Sequence, residues 1–299
     1  MTFAFTISRK ISHRFSLSRL VTQLGVAVLA IGLSLLPVTA QADLTLTFGT
    51  YAADKPTDTV RKVRPFLNFL AERMSVELGE TVTIKMKIAK EYEAGIDQLA
   101  NGEVDFARFG PASYVLAMKR NADVQLVTME SKKGSKRFKG VIVVHEDSDL
   151  QSVEQLAGRS FAFGDELSTI GRYLAQSHLL EAGISGAELQ DYAYLGRHDL
   201  VGEAVGAGRF SAGALKESTY KKLVTKGVPI RELMSFDNVT KPWLASADVS
   251  PRVVEAMRRV MLASENEEIV RQISKNGFIE GTDADYDFVR QAMTRSNLF

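Results

Sequence analysis

Phe163-Gly164-Asp165-Glu166-Leu167-Ser168-Thr169-Ile170-Gly171 closes a short β-prone run, Arg159–Phe163, and opens a helical pattern carrying Tyr173, Leu174, Leu179 and Leu180. Strand, glycine turn and helix start in immediate succession are the parts of one βα unit. The same alternation extends in both directions. Upstream come a strand at 44–49, a helix at 57–78 with Val60, Val63, Phe66, Leu67 and Leu70 at helical spacing, and a strand at 81–87. A helix over Tyr92–Leu99 is stopped by Asn101-Gly102. A short strand at 104–109 and the turn Gly110-Pro111-Ala112-Ser113-Tyr114 then open a further helix. Lys132–Lys139 reads as a charged loop before the β-branched strand Gly140–His145. Downstream, strands at 191–195 and 210–215 alternate with helices at 199–207 and 217–225, and Ser250–Phe299 reads as almost entirely helical, with Pro251 in a first turn. Such alternation predicts an α/β fold with largely parallel sheets rather than a sandwich or a bundle.

Arg9, Lys10, Arg14 and Arg19 precede an apolar run from Val21 to Leu36, followed by Pro37 and Ala40-Gln41-Ala42. This is the pattern of an export signal over residues 1–42, cleaved after Ala42. The run is short for a membrane span. Removing it takes four of the 37 Lys and Arg and none of the 36 Asp and Glu, leaving a formal charge of −3. Nothing in that balance implies a nucleic-acid surface. The chain has no cysteine, so an exported product is expected to be held by burial alone. Its length is near the size at which one core divides, which favours two lobes.

Three strand-to-helix junctions are candidate binding positions. At Ser168-Thr169-Ile170-Gly171 the free N–H groups of a helix start converge with two hydroxyls, an arrangement suited to an anion; a plain N-cap explains Ser168 as well. Gly196-Arg197-His198-Asp199 follows a strand and places His198 at a carboxyl end, where ligands collect in open α/β sheets; capping of the next helix is the alternative. At Phe109–Tyr114 a glycine permits close approach and Tyr114 supplies either a hydroxyl or packing. Tyr51 and Tyr92 are weaker cases of the same kind. No dinucleotide fingerprint, phosphate loop or nucleophile elbow is present in the sequence. The four histidines show no zinc spacing. No catalytic residue, metal or cofactor is therefore expected.

Phe109–Tyr114, the Gly164-Asp165-x-x-Ser168-Thr169-x-Gly171 segment and Gly196–Asp199, in that order, resemble the periplasmic phosphate/phosphite/phosphonate-binding proteins of ABC transporters over roughly 44–290. The resemblance implies a type II periplasmic-binding fold, two lobes joined by two hinge crossings. Lobe one would be 43–139 and 245–299 and lobe two 140–244, with hinge strands near Val141–Val144 and Leu244–Ser246. It implies that Ser168 and Thr169 with adjoining amides hold phosphorus-bound oxygens and that His198 adds a donor. Tyr51, Tyr92, Ser113 and Tyr114 would approach from lobe one. Three positions depart from the family. Ile170 stands where a second hydroxyl is common, Glu93 stands at a family tyrosine with Tyr92 displaced by one, and Lys241 and Ser218 (beside Glu217) stand where aminophosphonate binders place acids. These departures imply a compact anion, phosphite, phosphate or a simple phosphonate, in a neutral cleft of hydroxyls and amides. The expected partner is a transporter permease or a membrane sensor kinase, and the expected product is a monomeric periplasmic protein that is not an enzyme. A phosphoester hydrolase using His198 and Asp199 is the remaining alternative, without an identifiable nucleophile.

Overall fold

The computed structural model describes residues 43–132 and 134–299; the signal expected over 1–42 lies outside the described residues. Strand β1 (Leu44–Tyr51) pairs in parallel with β2 (Val82–Ala89) along its whole length, Leu44 opposite Val82 and Tyr51 opposite Ala89. Such a pair needs a crossover, supplied by helix α1 (Pro56–Leu78). Proline at the first turn loses only an N–H that would have no partner there, and Gly79 ends the helix with φ 69°. Val63, Phe66, Leu67, Leu70 and Met74 form its buried stripe. Val60, expected on that stripe, is 40% exposed, because the helix's first turns run beside a cleft rather than over the sheet.

The chain continues through α2 (Tyr92–Ala100), β3 (Phe106–Arg108), α3 (Pro111–Arg120) and β4 (Gln125–Glu130) before entering a second sheet. There it forms β5 (Arg137–His145), β6 (Ser160–Phe163), a π-helical turn at Thr169–Leu174 leading into α4 (Ala175–Glu181), and β7 (Asp191–Tyr194). It goes on through α5 (His198–Gly206), β8 (Ala212–Lys216), α6 (Glu217–Thr225) and β9 (Ile230–Val239). It returns as β10 (Pro242–Ala245), α7 (Pro251–Ala263), α8 (Glu268–Ile273), β11 (Phe278–Ile279) and α9 (Asp287–Ser296). The six-stranded sheet has the order β11-β4-β10-β3-β1-β2 and the five-stranded sheet β7-β6-β8-β5-β9. Each is covered on both faces. Phe48, Phe66, Trp243 and Met257 pack on one side of the first sheet, and Leu99, Phe109, Tyr114 and Val289 on the other. Phe161, Leu174 and Phe236 and Val141, Val201 and Leu215 do the same for the second.

The structure moves several expected boundaries. Arg137–Lys139, expected as loop, begins β5, with Arg137 opposite Val239 on β9. Leu244 and Ala245, expected at a hinge, lie in β10, which pairs antiparallel with both β3 and β4 inside the six-stranded sheet. Among the described residues the chain therefore passes between the sheets at Ser131–Lys132, Gly134–Lys136 and Thr240–Lys241. These crossings run side by side: Thr240 N–H donates to the Lys136 carbonyl at 2.8 Å, and Glu130 N–H to the Lys241 carbonyl at 3.0 Å. The C-terminal segment is not confined to one lobe. Val289 and Met293 of α9 join the core beneath α3, whereas Ala292 joins that of the second sheet. Ser296 Oγ donates to Gln176 there.

Candidate functional site

Three helix N-termini converge where the two lobes meet. The first belongs to the π-helical turn. Ser168 caps it, its Oγ accepting the Gly171 N–H at 3.0 Å. The loop before it doubles back, with Gly164 N–H donating to the Gly171 carbonyl at 2.8 Å and Leu167 N–H to Asp165 Oδ1 at 2.8 Å. A Cβ on Gly171 would lie 2.8 Å from the Gly164 Cα, so the two glycines of the Gly-Asp-x-x-Ser-Thr-x-Gly segment are there for contact between backbones. The second N-terminus is that of α3, whose Ala112 N–H donates across the cleft to Thr169 Oγ1 at 2.8 Å. The third is that of α5, whose His198 N–H donates to the Ala53 carbonyl at 3.3 Å. N–H groups at a helix start have no partner within the helix and carry partial positive charge, so they turn to neighbours such as these or to a ligand.

The lobe-one wall is aromatic. Tyr51, at the end of β1, stacks on Tyr92 with ring centroids 3.7 Å apart and on Phe109 at 5.1 Å. Its hydroxyl accepts the Gly110 N–H at 2.7 Å and shares a 2.8 Å hydrogen bond with Ser113 Oγ. Burial pushes its phenol up to about 12, partly offset by those bonds, so it is a fixed neutral group. Gly110 eases the close approach, since a Cβ there would come within 3.1 Å of the Tyr51 hydroxyl and 3.3 Å of Thr169 Oγ1.

Two connected spaces lie between the walls. The narrow one, about 20 Å³, is bounded by residues including Tyr51, Tyr92, Ser168, Thr169, Ile170 and His198. That is room for about one water, so admitting a larger group requires the lobes to part. No carboxylate is among the described residues that line it. Beyond it opens a chamber of about 640 Å³. Tyr51, Ala53, Phe138, Lys216 and Lys241 belong to both.

The electrostatics are cationic, not neutral as the sequence led one to expect. Lys216, at the end of β8, pairs across the lobes with Asp54, whose other oxygen accepts from Thr219 at 3.1 Å. Desolvation opposes ionisation of Asp54, but Lys216 and the neighbouring His198 and Lys241 hold its pKa far below the usual carboxylate range. His198 is buried with Nδ1 lacking any partner among the described residues. Burial, reinforced by Lys216, lowers its pKa to about 3, so the imidazole is neutral at physiological pH. Burial likewise lowers Lys241, helped by Arg108 and Lys216.

Tyr51, Tyr92, Ser168, Thr169, Ile170 and His198 are thus brought together, and Ser113 stands behind Tyr51. Ile170 supplies only an apolar wall. Two expected residues are elsewhere. Tyr114 lies beneath α3, its hydroxyl donating to Asp283 at 2.7 Å and its ring 4.6 Å from that of Tyr286; one helical turn carries it away from the cleft. Glu93 points out from α2 and pairs with Arg120. The sequence reading missed Asp54, Lys216 and Asn238. Asp54 follows β1 and Lys216 ends β8, a signal available in the sequence; Asn238, which lines the narrow space from β9, carries no such local signal.

Comparisons with known proteins bear on the family and the fold. A family model for the periplasmic substrate-binding proteins of phosphonate ABC transporters matches residues 48–286. The phosphate-import protein PhnD of Mycolicibacterium smegmatis is 24% identical over 278 residues, 82% of this chain and 84% of that protein. A probable ABC transporter phosphite-binding protein, PhnD1 of Prochlorococcus marinus, is 26% identical over 201 residues, 62% of this chain and 67% of that protein. The solved structure of PhnD1 from Prochlorococcus marinus in complex with methylphosphonate superimposes with a TM-score of 0.77 at 20% identity, covering 85% of this chain and 99% of that one. The fold is that of the type II periplasmic binding proteins, and the chain belongs to the family of periplasmic substrate-binding proteins of phosphonate ABC transporters.

Proposed function

We propose that the protein, cleaved after Ala42, captures a phosphorus oxyanion at the narrow end of the cleft and delivers it to a transporter permease. The observation that carries this reading is the convergence of three helix N-termini on a space lined by Ser168, Thr169 and neutral His198, with no carboxylate among its described lining residues. Free N–H groups and hydroxyls satisfy a compact anion with several short hydrogen bonds. The bound group would take over the Ala112-to-Thr169 contact, with Thr169 donating to the anion in its place. Closure onto the anion would expel competing water and favour the closed form that a permease recognises. The relatives named for phosphate and phosphite, and the PhnD1 structure holding methylphosphonate, support the ligand class.

A thermal-shift panel tests it. Ligand at about a thousand times its Kd adds roughly 4 kcal/mol to stability. Phosphite, phosphate or methylphosphonate should raise Tm by several degrees, sulfate by less, and Ser168→Ala should abolish the response. No shift with any phosphorus oxyanion would reject the reading.

A further inference from the structure

The chamber beyond the narrow site is too large and too charged for a compact anion alone. Its lining holds eleven Lys and Arg against six Asp and Glu, an excess of five positive charges, in a chain whose residues after 42 carry a formal −3. Most of its carboxylates are already engaged: Asp54 by Lys216, Asp58 by Arg61 and Lys222, Glu130 by Arg108, and Glu217 by Lys132 and Lys221. Lys62 and Lys241, by contrast, have no carboxylate within ion-pair distance among the described residues. Lys62 projects from α1 into the cleft; Lys241 lies at the second hinge crossing and reaches both spaces. Each has Arg108 and Lys216 as like-charged neighbours. An arriving anion relieves the repulsion that these ammonium groups exert on one another.

We propose that the cleft recognises an organophosphorus compound bearing a second anionic group, with the phosphorus head at Ser168-Thr169 and a carboxylate or second phosphorus acid received in the chamber by Lys62 and Lys241. The inference rests on the reading under Proposed function and names the substrate class of that site. An amine in the same place would meet the cationic excess that Lys241 adds to.

Calorimetric titration of the exported protein with methylphosphonate, phosphonoacetate, 2-aminoethylphosphonate and succinate tests the inference. Phosphonoacetate should bind about tenfold more tightly than methylphosphonate, a difference of about 1.4 kcal/mol. Aminoethylphosphonate should bind more weakly than either, and succinate should give no saturable heat. Lys62→Gln, on an exposed helix face, should erase the advantage of phosphonoacetate while leaving methylphosphonate within about twofold, and 0.5 M salt should narrow the gap by screening. Equal affinity for methylphosphonate and phosphonoacetate, or equal weakening of both by Lys62→Gln, overturns the inference and leaves the head-group site standing. Failure of every phosphorus compound to bind sinks the reading beneath it instead.

Discussion

His198 shows how one buried side chain couples site and stability. In the folded protein its imidazole stays neutral down to about pH 3, whereas in an unfolded chain it gains a proton near pH 6.5. Between those values the unfolded chain holds the extra proton, so this residue makes stability rise with pH and fall as acid is added. Above pH 6.5 its contribution is fully present. In the upper part of the window, from about 6.5 to 4.5, the depressed carboxylate Asp54 beside it is still ionised and adds no slope of its own. His198→Gln should therefore flatten the fall in urea midpoint between pH 7 and 4.5 relative to the unaltered protein. An unchanged slope would mean that the imidazole is not held neutral. The same neutrality implies that His198 can present a donor to an oxyanion without adding fixed charge, leaving Lys216 and Lys241 to attract it.

The turn that carries Ser168 and Thr169 depends on contact between two glycines. Gly171→Ala would place a methyl 2.8 Å from the Gly164 Cα and 3.0 Å from Ser168 Oγ. The expected outcome is a loss of roughly 1–3 kcal/mol, as for overpacking generally, with a more than tenfold loss of phosphorus-oxyanion affinity because the capping hydroxyl is displaced. Urea unfolding and calorimetry on one variant would show both, and retention of either property would contradict the account. This turn was legible in the sequence because glycine, hydroxyl and helix start occur together locally. So were the βα units, whose hydrophobic period survives in isolation. Where the sequence misled, the determining interaction was distant. Arg137–Lys139 reads as loop until β9 is known to pair with it, and Pro242–Ala245 is claimed by β3 and β4, each more than a hundred residues earlier. Tyr114 shares its turn with Ser113, and only the docking of Asp283 and Tyr286 against α3 decides that it faces inward. The cationic chamber was invisible for the same reason: its lysines come from α1, both crossings, β5, β8, α6 and the turn after α8, and the residues after 42 carry a formal charge of −3.

Across the whole molecule, the closed arrangement is held by a few polar contacts spanning the lobes: Ala112 N–H to Thr169, His198 N–H to Ala53, Lys216 to Asp54 and Lys222 to Asp58. Lys216 is the most buried of the charged pairs, its side chain 12% exposed. Lys216→Met removes both a latch and a cation facing the ligand and strands Asp54. Breaking a buried pair in this way costs roughly 3 kcal/mol. Ligand affinity should fall more than tenfold, and small-angle scattering should show a larger radius of gyration at saturating ligand; an unchanged radius would assign closure to other contacts. Helix α9 packs into both cores and so opposes wide opening.

The central claim is positional, and a crystal structure of the protein from residue 43 with methylphosphonate tests it most directly. The account predicts phosphorus at the narrow end, its oxygens within hydrogen-bond distance of Ser168, Thr169 and the amides at the start of α3, with the Tyr51–Tyr92 stack against the methyl group. Phosphorus held solely among the lysines of the chamber, with the Ala112-to-Thr169 contact intact, would contradict it.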